Sequence, residues 1–202
     1  MAPTLTLEFR LVILFLTLIG WLVIYFSINR FTNKSKDFVK MNLALDAKIP
    51  FIPQFAFVYF STYLFIVQPF LILNKAAQFY GMLVSFATIS MVASIIHATL
   101  PSKIDRIDIE NPTNLSGKLL GLFQKTCRPF GNFPSMHVGL SIPVVVMNYV
   151  VGGTLLGGIS LSWAVLIALS TLFTKQHYIL DVLAGVFIGL VTLTLTYKIM
   201  PW

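Results

Sequence analysis

The sequence predicts an all-α integral membrane protein, a single domain over residues 1–202 built as a bundle of six transmembrane helices. Of the 202 residues, 57% are hydrophobic and only 10% are charged, whereas a soluble domain carries about 25% charged residues. The apolar residues also form long uncharged runs, each long enough for the roughly 20-residue helix that crosses a bilayer. A single cysteine, Cys127, excludes an internal disulfide framework. These features exclude a soluble enzyme, a disordered chain and a disulfide-stapled secreted domain.

The uncharged runs place the six spans in order. The run over 129–174 is too long for one helix and must fold back on itself, and Gly152-Gly153 is the predicted turn. The first run lacks the basic start and small-residue cleavage site of a signal peptide, so we interpret it as a retained helix. The predicted spans are about 10–28, 53–74, 78–100, 135–151, 154–173 and 177–199.

Two polar stretches interrupt the helices. Residues 30–50 mix lysines with apolar residues, which is typical of an interfacial segment. Residues 101–134 form the longest loop, and long loops without secondary structure are usually functional. With an even number of spans, both stretches lie on the same side of the membrane as residues 174–176.

The net charge of +7 indicates anionic headgroups or phosphate-bearing ligands. No motif supports binding to nucleic acid. The positive-inside tendency would place the loop-rich side in the cytoplasm. That side holds all 14 basic residues except three: Arg10, Lys75 and Lys198.

The first candidate catalytic motif is Phe133-Pro134-Ser135-Met136-His137. Pro134 and Ser135 are typical helix-start residues. A helix N-terminus presents free backbone N–H groups and the positive end of its dipole, which attract phosphate. His137 in the first turn could then transfer a proton to a bound group. The alternative is a histidine that only caps the helix or reaches the headgroup region.

The second motif is the Thr174–Asp181 sequence, in which His177 and Asp181 are four residues apart. On a helix they would share one face and touch. A carboxylate bonded to one ring nitrogen fixes the imidazole tautomer and makes the other nitrogen a better nucleophile. Asp181 also lies in an apolar span, where an unpaired acid is costly. Alternatively, Asp181 is only a structural partner of His177.

Other polar residues admit further interpretations. His137, His177 and Asp181 could together bind iron or zinc, but no second carboxylate or cysteine converges on them, and no metal or other cofactor is predicted. His97 is expected to make a buried polar contact. Four basic residues near the motifs are candidate phosphate ligands, although such residues are most often headgroup anchors: Lys103, Arg106, Arg128 and Lys175.

Together these motifs resemble those of the type 2 phosphatidic acid phosphatase and haloperoxidase superfamily, the integral-membrane lipid phosphate phosphatases. The resemblance covers all six spans, with its motifs at Pro134–His137 and at Ser170 through His177 to Asp181. The Thr174–Asp181 sequence, together with Asp46 and the Ile49–Pro53 segment, is most similar to the sequences of the branch related to inositol phosphorylceramide and sphingomyelin synthases.

Two parts of the superfamily pattern are missing. Its first motif, a lysine followed seven positions later by Arg-Pro, is not intact, because Lys103 and Arg106 occupy that region and Arg128-Pro129 occurs later. The arginine expected after Ser170 is Thr171. Positive charge around the phosphoryl oxygens must therefore come from some of the four basic candidates, with Ser135 as a further phosphate ligand.

The resemblance implies phosphoryl transfer without metal, in which His177 attacks phosphorus, Asp181 orients it and His137 protonates the leaving oxygen. The expected activity is hydrolysis of a lipid phosphate or diphosphate through a phosphohistidine. One alternative is a transferase that passes a phospho-headgroup to a lipid hydroxyl; another is a non-enzymatic transporter or scaffold. The expected partner is a phosphate-bearing membrane lipid, and the expected location is the cell membrane. The family resemblance implies that the pocket lies on the exoplasmic face, whereas the count of basic residues favours the cytoplasm.

Overall fold

In a computed structural model, which describes residues 3–32, 37–109 and 112–202, the chain is helical and has no strand within those ranges. Residues 44–48 and 53–55 form short 3₁₀ helices. The all-α prediction is confirmed. The α-helices are α1 (Leu7–Thr32), α2 (Ala56–Ile72), α3 (Ala76–Thr99), α4 (Leu115–Thr126), α5 (Met136–Phe173) and α6 (Ile179–Ile199).

Five helices within the described residues are long and apolar enough to cross a membrane: α1, α2, α3, α5 and α6. Their length and composition fit a multi-pass membrane protein. The helix α1 lies at the periphery of the bundle. Arg10, near its start, is buried and donates from Nη1 to the carbonyl oxygen of Leu71 at 2.7 Å. This bond ties α1 to the end of α2.

The 38-residue α5 is broken in its middle at Gly152 and Gly153. Gly153 has a φ of +62°, a left-handed conformation that glycine adopts without a steric cost. The two arms of α5 then run side by side, since the Asn148 side chain donates to Ser160 Oγ at 2.6 Å. As a result, the two ends of α5 come together at one end of the bundle.

A polar network joins α2 to both arms of α5 within the apolar bundle. The amides of Gln68 and Asn148 exchange two hydrogen bonds of 3.0 and 3.1 Å, and Ser160 completes the network. Trp163 Nε1 also donates to Ser61 Oγ at 2.8 Å. Polar groups in a membrane interior are costly unless they are paired, so these contacts fix the relative positions of the three segments.

The apolar core lies between α2, α3 and α5. Its aromatic rings meet at tilted and edge-to-face angles, as those of Phe70 and Phe79 do at a centroid distance of 5.6 Å. Such contacts add to the free energy gained by dispersion. The most buried members include Phe65, Phe70, Phe79, Met82, Ile89, Val144, Met147 and Ile167.

The region 101–134, which the sequence predicted as a loop, contains the helix α4. Asn114 caps it, with its Oδ1 accepting from Gly117 N at 2.8 Å. This twelve-residue helix is too short for a membrane span, and its two glycines weaken the helical signal in the sequence. The face of α4 toward the protein carries Ser116, Gly117, Leu120 and Gly121, which are buried. In the 30–50 region, residues 33–36 lie outside the described residues; residues 37–50 have no regular secondary structure apart from the 3₁₀ helix and an isolated bridge at Val39.

Candidate active site

His177 lies in the short turn between α5 and α6, and its ring is held by Asp181. His177 Nδ1 is 3.3 Å from Asp181 Oδ2, and both side chains are buried, 7% and 1% exposed respectively. Asp181 Oδ2 also accepts from the backbone N–H of Tyr178 at 2.8 Å. With Nδ1–H directed at the carboxylate, the lone pair is on Nε2, the nitrogen that faces away from Asp181.

The sequence predicted this pair as two residues on one helix face, but the structure forms it differently. The helix α6 begins at Ile179, so His177 precedes it and Tyr178 is the N-cap residue. Asp181 reaches back from the first turn to the Tyr178 amide and to the imidazole. The contact therefore depends on the helix cap as well as on the four-residue spacing.

His137 lies opposite His177. Its Nδ1 is 3.4 Å from Nε2 of His177, and the two ring centroids are 5.5 Å apart. Aromatic rings of α2 pack on the other side of His137, with the centroid of Tyr59 at 4.8 Å and that of Tyr63 at 6.3 Å. Two stretches forty residues apart in the chain thus place three predicted residues, His137, His177 and Asp181, in one row.

Backbone contacts hold the two motifs together. The N–H of Ser135 donates to the carbonyl oxygen of Asp181 at 2.9 Å. The Asn132 side chain donates from Nδ2 to the carbonyl oxygen of Gln176 at 3.1 Å. The first bond joins the start of α5 to the first turn of α6, and the second joins the segment before α5 to the turn that carries His177. The backbone segments that carry the two imidazoles are therefore held together by bonds on both sides of the site.

The segment before α5 also bonds to α3 and to Ser102, which follows α3. Ser102 Oγ accepts from the N–H groups of Asn132 and Phe133, both at 3.0 Å. His97 is buried, with its Nε2 3.2 Å from the carbonyl oxygen of Pro134. His97 thus makes the kind of buried polar contact that was expected for it.

Ser135 occupies the N-cap position of α5 but does not cap it with its side chain. It is 1% exposed, and its Oγ has no hydrogen-bond partner among the described residues. Buried polar atoms in folded proteins are nearly always paired. The hydroxyl is thus available beside the first N–H groups of α5, which have no partner inside the helix.

Arg106 contacts residues around His137 rather than His137 itself. Its Nη1 donates to the carbonyl oxygen of Cys127 at 2.6 Å, and its guanidinium lies 5.7 Å from the ring centroid of Phe123. The Phe123 ring in turn contacts Tyr59 at 5.5 Å. Burial lowers the pKa of Arg106 from its ordinary value, and its Nε has no partner among the described residues.

The other three basic candidates are placed differently. Lys175 donates from Nζ to the carbonyl oxygens of Asp46 at 3.0 Å and Ile49 at 2.6 Å. The backbone of Lys103 pairs with Val39 and Phe130. Arg128 is exposed. Of the predicted phosphate ligands, Ser135 is thus bonded through its backbone to Asp181, whereas the Lys175 ammonium is bonded to the segment over residues 46–49.

Two residues at the site were not found by the sequence analysis. Tyr59, which packs on His137, belongs to an apolar stripe and carries no distinguishing signal. Asn132, which holds Gln176, lies three residues before Ser135 in a stretch without periodicity. Only its closeness to the motif could have indicated it. Both depend on contacts between distant segments.

The geometry also bears on the alternative of a metal site. The two ring nitrogens of His177 face opposite directions, one toward Asp181 and the other toward His137. Three ligands arranged in this row do not converge on one ion. In the part of the chain that the structure describes, no group of three or more His, Cys, Asp or Glu side chains is placed to hold a metal ion.

The described part of the chain is thus a bundle of apolar helices with two histidines facing each other at one end. Residues 74–202 match the sequence profile of the PAP2 superfamily, and the chain belongs to this superfamily. The superfamily resemblance of the motifs is thereby confirmed. Membership supports a lipid phosphatase function.

A solved structure has the same overall fold. The crystal structure of Aquifex aeolicus LpxE aligns with a TM-score of 0.52 over 85% of this chain and 92% of that chain, at 14% sequence identity. At this identity the likeness concerns the fold. No protein with a curated description matches this chain.

Proposed function

We propose that this protein is a metal-independent phosphatase of lipid phosphates or diphosphates that forms a phosphohistidine on His177. The row from Asp181 through His177 to His137 carries the proposal, with separations of 3.3 and 3.4 Å between successive side chains. It supplies an oriented nucleophile and a proton donor beside it. Superfamily membership supports the substrate class.

In the first step, the lone pair of His177 Nε2 attacks phosphorus, and the bond from phosphorus to the lipid oxygen breaks. The proton on His137 Nδ1 passes to that leaving oxygen, while Asp181 keeps its hydrogen bond to Nδ1–H of His177. In the second step, water attacks phosphorus and gives a proton to His137. The phosphorus–nitrogen bond breaks, inorganic phosphate leaves, and both histidines return to their starting states.

The two histidines must separate for this reaction. With 3.4 Å between the reacting nitrogens, a phosphoryl group cannot lie between them in line with the attack. The His177 ring is held by Asp181. We therefore infer that the His137 ring, which packs on Tyr59, rotates away from His177 to admit the phosphate. Catalytic hydrogen bonds commonly reach their working geometry only when substrate binds.

In this proposal, several hydrogen-bond donors and positively charged groups stabilise the negative charge on the phosphoryl oxygens. Ser135 Oγ and the first N–H groups of α5 donate hydrogen bonds to the bound phosphate. Arg106 supplies partly buried positive charge beside Phe123, and Lys103 and Arg128 supply charge from the loop.

The proposal places six spans in the membrane, with the two arms of α5 crossing separately. The histidine pair then lies at headgroup level, on the same side as the loops over 37–52 and 112–134. Following the family resemblance, we propose that this is the exoplasmic side of the cell membrane, although most basic residues lie there.

A transferase uses the same first step but resolves the phosphohistidine with a lipid hydroxyl in place of water. The burial of His177, 7% exposed, favours this candidate because it restricts access of water to the intermediate. The resemblance of the Thr174–Asp181 sequence to sphingolipid synthases favours it too. A non-enzymatic transporter or scaffold would need neither step.

One experiment distinguishes these functions. The purified protein is given phosphatidic acid or a polyprenyl diphosphate labelled in the phosphate, with EDTA, and with or without ceramide or diacylglycerol. We expect free labelled phosphate and an acid-labile, base-stable labelled protein that His177→Ala abolishes. Labelled product lipid would identify a transferase. If no donor gives turnover or labelled protein, the non-enzymatic alternative remains. Wild-type turnover in His177→Ala would contradict the mechanism.

A further inference from the structure

The turn that carries His177 has a strained conformation. Lys175 in this turn has a φ of +54°, in the left-handed region that residues other than glycine rarely adopt. The backbone N–H groups of Gln176 and His177 both donate to the carbonyl oxygen of Thr171, at 2.9 and 3.1 Å. A strained turn persists only when its surroundings hold it in place. The segment over residues 46–52 supplies such contacts.

Asp46 holds the side of the turn that follows His177. It is 7% exposed and lies in the 3₁₀ helix over residues 44–48. Its Oδ1 accepts from the backbone N–H of Ile179, the first residue of α6, at 2.9 Å. Its Oδ2 accepts from the N–H of Leu43 at 2.7 Å. Both carboxylate oxygens are thus used by main-chain donors, one in each segment.

Lys175 holds the side that precedes His177. Its ammonium donates to the carbonyl oxygens of Asp46 at 3.0 Å and of Ile49 at 2.6 Å. The N–H of Ile52 adds a bond to the carbonyl oxygen of Phe173 at 2.9 Å. The segment over residues 46–52 is therefore bonded to Phe173 and Lys175, which precede His177, and to Ile179, which follows it.

We propose that Asp46 and Lys175 together form a brace that fixes the turn carrying His177, and that both are positioning residues for phosphoryl transfer. The inference rests on the proposed function of His177. The Lys175 ammonium is occupied by two main-chain carbonyls, so it serves the turn and does not bind the phosphate. In-line attack on phosphorus requires Nε2 at a defined position, and a displacement of about 1 Å can lower the rate about 100-fold.

Kinetics of the full-length protein in detergent separate a brace from a phosphate ligand. In Lys175→Met and in Asp46→Asn we expect kcat to fall about 10- to 100-fold, with KM and the inhibition constant of orthovanadate within about twofold of wild type. Lys175→Arg should recover most of the lost kcat, because a guanidinium can also donate to both carbonyls. Lys48→Met and Asp108→Asn, at exposed positions, are the matched controls and should resemble wild type.

The opposite kinetic pattern would overturn the proposal. If Lys175→Met raised KM and the orthovanadate constant about tenfold with kcat unchanged, Lys175 would be a phosphate ligand. Thermal unfolding of each variant shows whether it is folded. If Lys175→Met does not fold, Asp46→Asn decides, because it removes one acceptor and leaves the backbone carbonyl of residue 46 available to Lys175.

Hydrogen exchange tests the brace without reference to activity. Asp46→Ala removes both carboxylate acceptors, so the loss of the bond to Ile179 should speed exchange about tenfold over residues 174–182, with the arms of α5 unchanged. Unchanged exchange in that segment would overturn the brace. If the wild-type protein forms no phosphohistidine with any donor, the proposed function fails, and the exchange result still decides whether the brace exists.

Discussion

The backbone N–H of Ser135 donates to the carbonyl oxygen of Asp181 at 2.9 Å, and this bond joins the start of α5 to the first turn of α6. It exists because the two helices approach closely at glycines. A β-carbon on Gly185 would lie 2.5 Å from the carbonyl oxygen of Ser135, and one on Gly189 would lie 2.7 Å from that of Gly139. Small residues at such positions allow helix backbones in membranes to approach each other.

Replacing Gly185 with alanine should therefore impair both stability and activity. The added methyl group meets main-chain atoms that cannot move independently, so we expect a loss of about 1–3 kcal/mol in the free energy of unfolding. The separation of the helices should also lower phosphate release, because it displaces the backbone of the first turn of α5, which carries His137, from the turn that carries His177. Thermal unfolding in detergent and an assay of kcat measure the two effects. Gly158→Ala is the control, because nothing lies within 4 Å of its added carbon.

Asp181→Asn tests whether the carboxylate orients His177. The asparagine amide can present an N–H to the imidazole, which favours the wrong tautomer and removes the lone pair from Nε2. We expect kcat to fall about 10³- to 10⁴-fold, as for comparable substitutions in other histidine-dependent enzymes, while the fold is retained. The label on His177 should then form slowly in single-turnover experiments. A purely structural Asp181 would instead give a destabilised protein with near-normal turnover of the folded fraction.

His137→Gln tests the general acid. The proton that His137 donates matters most when the leaving oxygen is strongly basic, so the loss of kcat should depend on the leaving group. We expect a fall of about 10²- to 10⁴-fold with a lipid alkoxide and a much smaller one with p-nitrophenyl phosphate. Labelled phosphohistidine should also accumulate with the latter, because water is no longer activated. Equal losses with both substrates would argue against a proton-transfer role for His137.

The sequence indicated that His137, His177 and Asp181 would lie together, as they do, but not the contacts that support them. Long apolar runs predicted the helices, and the spacing of His177 and Asp181 predicted their contact, because both signals are local. The bond from Lys175 to the carbonyl oxygen of Asp46 joins residues 129 positions apart and leaves no local signal in the sequence. From its charge alone, Lys175 was predicted to be a phosphate ligand. The helix α4 was missed because it is only twelve residues long, too short for a membrane span, and contains two glycines, which lower helix propensity.

Asn148→Leu tests the polar network that joins α2 to the arms of α5. The substitution leaves Gln68 without its partner in an apolar interior, and we expect a loss of about 1–2 kcal/mol in stability. The double variant Gln68→Leu/Asn148→Leu should be less destabilised than the sum of the single variants, because no unpaired amide then remains in that pair. Unfolding by SDS in mixed micelles measures the differences. Ser162→Ala, at an exposed position of the second arm, is the matched control.

The two arms of α5 and the side of the active site can be tested together by labelling cysteines. In a Cys127→Ser background that retains activity, cysteine is introduced at Lys118 on α4 or at Thr154 beside the break in α5, both of which are exposed. If each arm crosses the membrane, these positions lie on opposite sides. A membrane-impermeant maleimide should then label Lys118→Cys in intact cells, and Thr154→Cys only after permeabilisation. The reverse pattern would retain the six spans but place the site in the cytoplasm, whereas labelling of both positions from the same side would contradict the separate crossing of the two arms.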